Sequence, residues 1–132
     1  MAEQHTVTLI GGDDGEQAVF TLIDDDGDCR LRCDYRGKTV ESVASDYFRA
    51  LCEIRVRLAD DGLIPFCYGA SLNVYPSAMA RSMARGLSAY RLAKGKPANM
   101  DDLVDIFAEG PDIVPASVEA QEQFYRDCIA AL

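Results

Sequence analysis

Sulfur is the most reactive chemistry this chain carries, and the residues that would use it are badly matched. There are five cysteines, Cys29, Cys33, Cys52, Cys67 and Cys128, but His5 is the only histidine. A nucleophilic thiol needs a base or a neighbouring cation to lower its pKa, and His5 lies in the first strand or the tail before it. No C-x-x-C occurs. Cys29 and Cys33 lie four residues apart in an extended segment, about 13 Å between Cα atoms, too far for a disulfide. Neither a Cys/His enzyme nor a zinc site follows from these residues. The five are expected to be reduced, mostly buried thiols that pack as small hydrophobes.

Calcium and phosphate motifs fail on spacing. In "DDDGD", counted from Asp24, a calcium loop needs glycine at the sixth position and glutamate at the twelfth, where Cys29 and Tyr35 stand. The glycine-rich stretches match neither G-x-x-x-x-G-K-[ST] nor G-x-G-x-x-G. No cofactor and no metal is expected.

Charge is distributed more tellingly. The net charge is −9, yet residues 62–100 hold five bases and no acid, between a first part with 14 acids and 7 bases and a last part with 8 acids and 1 base. Within the acid-free stretch, residues 66–86 read "FCYGASLNVYPSAMARSMARG". They suggest a strand, a polar loop and a helix beginning near Pro76, with Arg81 and Arg85 four apart on one face. A helix N-terminus and paired arginines suit a small anion, with Tyr68, Ser71, Asn73 and Tyr75 to orient it and Tyr90 adding aromatic surface. The plainer expectation is that these arginines pair with the acidic parts on either side.

The acidic surplus points elsewhere. It opposes nucleic-acid binding, which needs cationic surface, and suits attraction to a basic protein. Asp13, Asp14 and Glu16, with Asp24, Asp25, Asp26 and Asp28, are the candidate partner-binding carboxylates. No apolar run is long enough to suggest a membrane span, and the first residues lack the basic end and apolar stretch of a signal peptide, so a cytoplasmic location is expected.

The elements that position these residues read as one α+β domain over residues 1–132, an N-terminal antiparallel β-meander packed against a long helix, with a further short strand and helices toward the C-terminus. "HTVTLI", "QAVFTLI", "CRLRCDY" and "KTVESV" are the four strands. Asp14-Gly15 and Asp26-Gly27 are hairpin signals, and Arg36-Gly37 makes a third turn. Ser45 is expected to cap a helix, with Asp46 in its first turn and Tyr47, Phe48, Leu51, Cys52, Ile54 (or Arg55) and Leu58 on its buried stripe. "LIPFCYGA" reads as an edge strand interrupted by Pro65, open to strand-mediated dimerisation. A helix over roughly 76–85 follows, then "LSAYRLA", which reads as strand or helix with the strand preferred. "MDDLVDIFAEG" is expected to form a short helix, and Ser117 to cap a last one with Val118, Phe124, Cys128 and Ile129 inward.

The segments "CYGASLNVYPSAM" and "LVDIFAEGPDIVPASV" resemble those of small uncharacterised bacterial proteins of about this size. The resemblance implies a bacterial, single-domain, cytoplasmic protein and assigns no catalytic residue. The first functional expectation is therefore a non-catalytic interaction protein, such as an immunity-type inhibitor that binds a basic protein partner. The alternative is a small anionic-ligand-binding protein or enzyme that uses residues 66–86.

Overall fold

Residues that tolerate positive φ set the strand registers of the meander. Asp26 and Gly27 (φ 49° and 90°) and Arg36 and Gly37 (φ 51° and 71°) form two-residue turns whose twist matches the flanking strands. In the computed structural model, which describes residues 2–132, the strands are β1 (Glu3–Ile10), β2 (Gln17–Asp25), β3 (Asp28–Tyr35) and β4 (Lys38–Ala44). A two-residue strand, β5 (Ile64–Pro65), completes a five-stranded antiparallel sheet in the order β4-β3-β2-β1-β5. The alternation in β3 is clean: Cys29, Leu31, Cys33 and Tyr35 are buried and the residues between them face outward.

Helix α1 (Tyr47–Asp60) packs its apolar stripe on the inner face of this sheet, and Phe20, Leu31, Phe48, Leu51, Ile54 and Leu58 are almost wholly buried between the two. Each such side chain contributes roughly 1.5–3 kcal/mol on leaving water. Asp46, rather than Ser45, is the N-cap: its carboxylate accepts from the Arg49 N–H at 2.8 Å. A carboxylate there satisfies an orphan donor and meets the positive helix end as well.

A second, three-stranded antiparallel sheet is built from β6 (Val74–Tyr75), β7 (Ser88–Arg91) and β8 (Leu103–Asp105), with β7 in the middle. Helix α2 (Ala78–Met83) is shorter than expected because Ser77 caps it, accepting from the Ala80 N–H at 3.0 Å, and leaves Pro76 outside. The left-handed pair Arg85 (φ 56°) and Gly86 (φ 73°) follows its end. The helix expected over 100–110 is instead a 3₁₀ turn at Met100–Asp102, capped by Asn99, followed by β8. The aspartates cap only that turn. Beyond it Val104 pairs with Ala89, and Ile106 and Phe107 enter the core.

Helix α3 (Val118–Ala130) is capped by Ser117 and turns Cys128 inward, with Val118 and Phe124 half-buried. Ile129, expected inside, is 50% exposed, and the most buried residue of the helix is Gln121, at 1%. The "LIPFCYGA" edge is also smaller than its sequence suggests. Only Ile64 and Pro65 pair with β1, Leu63 and Cys67 are buried, and the chain turns into a 3₁₀ segment at Tyr68–Ala70. Among the described residues, no helix is long and apolar enough to cross a membrane.

Candidate functional site

Burial turns the cysteines away from chemistry. All five are free, and Cys52 alone reaches the surface. Loss of water around Cys33 pushes its thiol up to about 12, and the same cause raises Cys67 to about 11. A thiol held neutral is a poor nucleophile. His5 stacks on Phe107 at 4.8 Å between ring centres, and its Nε2 bonds to Glu3 at 2.5 Å, the ring's only hydrogen-bond partner among the described residues. No cluster of three or more His, Cys, Asp or Glu side chains among those residues is placed to hold a metal ion.

These shifts carry a pH dependence. Cys33, raised by loss of water, and Tyr35, raised chiefly because its hydroxyl donates to the Asp61 carboxylate at 2.7 Å, both lie at about 12 in the fold; they are protonated there and ionise more readily once unfolded. Stability is therefore complete below the unfolded thiol value near 8.5 and is lost as pH rises toward about 12. The urea midpoint should be level from neutrality to about pH 8 and fall steadily above 9. A midpoint unchanged to about pH 11 would contradict the burial of Cys33 and the Tyr35–Asp61 hydrogen bond.

The acid-free segment uses its three arginines internally. Arg81 lies 3.5 Å from Asp46 and over the rings of Phe48 and Tyr75, at 5.3 and 5.4 Å. Arg85 leaves the helix at its left-handed end and turns the other way, to Asp24 and to the Cys29 sulfur at 3.5 Å. The two arginines therefore do not share a face. Tyr68 donates to Asp112 at 2.6 Å, and Arg91 bonds the same carboxylate at 3.1 Å. Ser71 is fully buried; it donates to Asn73 at 2.7 Å and accepts from the Val114 N–H. Tyr75 stacks on Tyr125 at 4.1 Å. Of the six expected ligand residues, only Tyr75 and Arg81 line a common depression.

The candidate partner-binding acids also divide. Asp13, Asp14 and Glu16 sit in the β1–β2 loop, whereas Asp24–Asp28 form the β2–β3 turn at the other end of β2, about 26 Å along the strand. Glu16 is gripped by Arg36 at 2.5 and 3.0 Å, which lowers its pKa. Asp25 pairs with Arg30 at 2.7 Å and Asp24 with Arg85. Asp13, Asp14, Asp26 and Asp28 are left exposed and outside any ion pair among the described residues.

Two polar side chains carry much of the architecture: Arg55, which the α1 stripe offered only as an alternative to Ile54 and which is buried beside it, and Gln121, which is not among the expected inward residues of α3. Arg55, 4% exposed, donates through Nη1 to the Gly69 carbonyl (3.0 Å) and Gln121 Oε1 (2.6 Å), and through Nη2 to the Ala116 carbonyl (2.9 Å). Gln121 Nε2 in turn lies within bonding distance of the carbonyls of Gly69, Ser71 and Val74, at 3.0, 2.9 and 2.9 Å. Burial lowers the pKa of Arg55, whose charge is met by carbonyl dipoles rather than by a carboxylate. Gln121 stands seven residues before Cys128 on the stripe of α3, so helical spacing does mark it as a polar residue at an inward position.

Above this network lies a cleft between α1 and α3. It consists of two depressions, about 240 and about 270 Å³, that adjoin at Val56 and Val118. Phe48, Arg49, Cys52, Tyr75 and Arg81 line the first; Ala59, Asp60, Leu63, Pro65 and Glu119 line the second. No protein-family model matches the chain, and no curated protein matches it.

Proposed function

We propose that the chain is a non-catalytic interaction protein of the bacterial cytoplasm that binds a basic protein partner, in the manner of an immunity protein masking a toxin. The charge left over after internal pairing carries this reading. Nine of the chain's basic side chains, Arg30, Arg32, Arg36, Lys38, Arg49, Arg81, Arg85, Arg91 and Arg126, sit in ion pairs with its own carboxylates. Outside those pairs the exposed cations are Arg57, Lys94 and Lys96. Against them stand Asp13, Asp14, Asp26, Asp28, Asp60, Asp101, Asp105, Glu109 and Glu119, all exposed and outside any ion pair among the described residues. Such a surface attracts cationic partners, speeds their encounter and repels acidic ones.

The tagged protein, used as bait in lysate of its own organism, tests this. One stoichiometric basic protein, released by raising the salt, is the expected result. A bare bait, or an acidic partner, overturns the reading.

The small-ligand alternative rests on Tyr75 and Arg81 in the α1–α3 cleft. Arg81 is already engaged by Asp46 and two rings, so saturating phosphate, nucleotides or carboxylates should leave Tm unchanged. A ligand selective for the native state must raise it, and a rise abolished in Arg81→Ala would favour the alternative.

A further inference from the structure

We propose that the lower half of the α1–α3 cleft is the surface on which the basic partner docks, taking an apolar side chain from a Lys- or Arg-rich segment; this rests on the functional reading above. Its floor is apolar, with Leu63 buried at one end and Val56 54% exposed where the two depressions meet. A large aliphatic side chain left half in water beside a concave apolar floor is what an anchoring residue covers with most gain. Asp60, the last residue of α1, and Glu119, in the first turn of α3, line the same depression. Both are exposed and outside any ion pair among the described residues, so a cation flanking the anchor finds an unoccupied carboxylate.

The third charged group of this depression is Arg55, and its guanidinium donates to Gly69, Ala116 and Gln121 inside the protein. The upper depression is different: Arg49 lies 3.9 Å from Glu53 and Arg81 lies 3.5 Å from Asp46, so its cations are balanced within the chain. A larger groove of about 460 Å³ beside Tyr90, Tyr125 and Met79 has Lys96 as its one charged lining residue and would not select a basic segment. Negative excess and an apolar floor coincide at the lower half of the α1–α3 cleft.

Titrating an amphipathic leucine–lysine peptide into the isotope-labelled full-length protein tests the assignment. Amide shifts are expected at Val56, Ala59, Asp60, Val118 and Glu119. Asp60→Lys combined with Glu119→Lys should weaken binding about tenfold at low ionic strength. Asp13→Lys with Asp14→Lys, the same change in charge placed on the exposed β1–β2 loop, should weaken it much less. Val56→Ser, a neutral change at an exposed position that leaves the core and the charge of the depression intact, should also weaken it. Shifts concentrated at the two acidic turns, equal losses from both double variants, or no binding would overturn the cleft. If a basic partner from lysate binds wild type and Asp60→Lys/Glu119→Lys equally, the cleft falls while the interaction reading stands. A wild-type bait that stays bare removes both.

Discussion

Replacing Arg55 with leucine should cost the fold about 3 kcal/mol, read as a lower urea midpoint with an unchanged slope. Leucine keeps much of the volume but leaves the Ala116 carbonyl and Gln121 Oε1 without the donor that Arg55 supplies to each. The Gly69 carbonyl still has Gln121 Nε2 within reach, so two acceptors are orphaned rather than three, Gln121 Oε1 buried and the Ala116 carbonyl half-buried. Each such acceptor costs roughly 1–3 kcal/mol. Lysine should rescue little, since one ammonium cannot reach in the fork geometry that joins Gly69 to Ala116. Buried ionic groups are sometimes replaceable by apolar ones at no loss. A change below about 1 kcal/mol would place Arg55 in that class and remove it as the tie between α1 and the segments around Gly69 and Ala116.

The second large effect is expected from adding one methyl group. Gly69→Ala would bring a Cβ to 2.6 Å from Leu51 Cδ2 and 2.9 Å from the Ile106 carbonyl oxygen. Leu51 is fully buried, and the Ile106 oxygen already accepts the Gly69 N–H at 2.8 Å, so the backbone cannot retreat without losing that bond. Overpacking of this kind costs about 2 kcal/mol, a fall in Tm of roughly 7 °C for a chain of this size. An unchanged Tm would mean that the 3₁₀ turn at Tyr68–Ala70 shifts freely. The same experiment probes the seam between the two sheets, because Gly69 pairs with the segment that follows β8.

The meander and α1 are legible in the residues because their signals are local. Alternation in Cys29–Tyr35 and positive-φ turn pairs at Asp26-Gly27 and Arg36-Gly37 each depend on neighbours a few positions away. The second half is harder for the opposite reason. Leu103–Asp105 is a strand because Ala89 and Tyr90 stand opposite, and no property of "LVD" announces them. Ile129 carries the right spacing for the core of α3 and is nonetheless half exposed, while Gln121 is inside. Its amide answers three carbonyls of a loop some fifty residues earlier.

The same division runs through the candidate surfaces. Residue order alone determines that the chain is acidic, that its middle is not, that the calcium and phosphate motifs fail on spacing, and that one histidine and no C-x-x-C leave no zinc motif. It also suggests that Arg81 and Arg85 act together, an inference that holds only while a helix continues through both; the left-handed turn at Arg85 sends them to Asp46 and Asp24 on different elements. Which carboxylates are neutralised, that the two acidic turns lie at opposite ends of β2, and that Asp60 and Glu119 line one cleft are decided by tertiary structure. Charge is a sum over residues and survives any arrangement of the chain. Pairing falls off within a few ångströms, so it depends on which distant segments the core brings together.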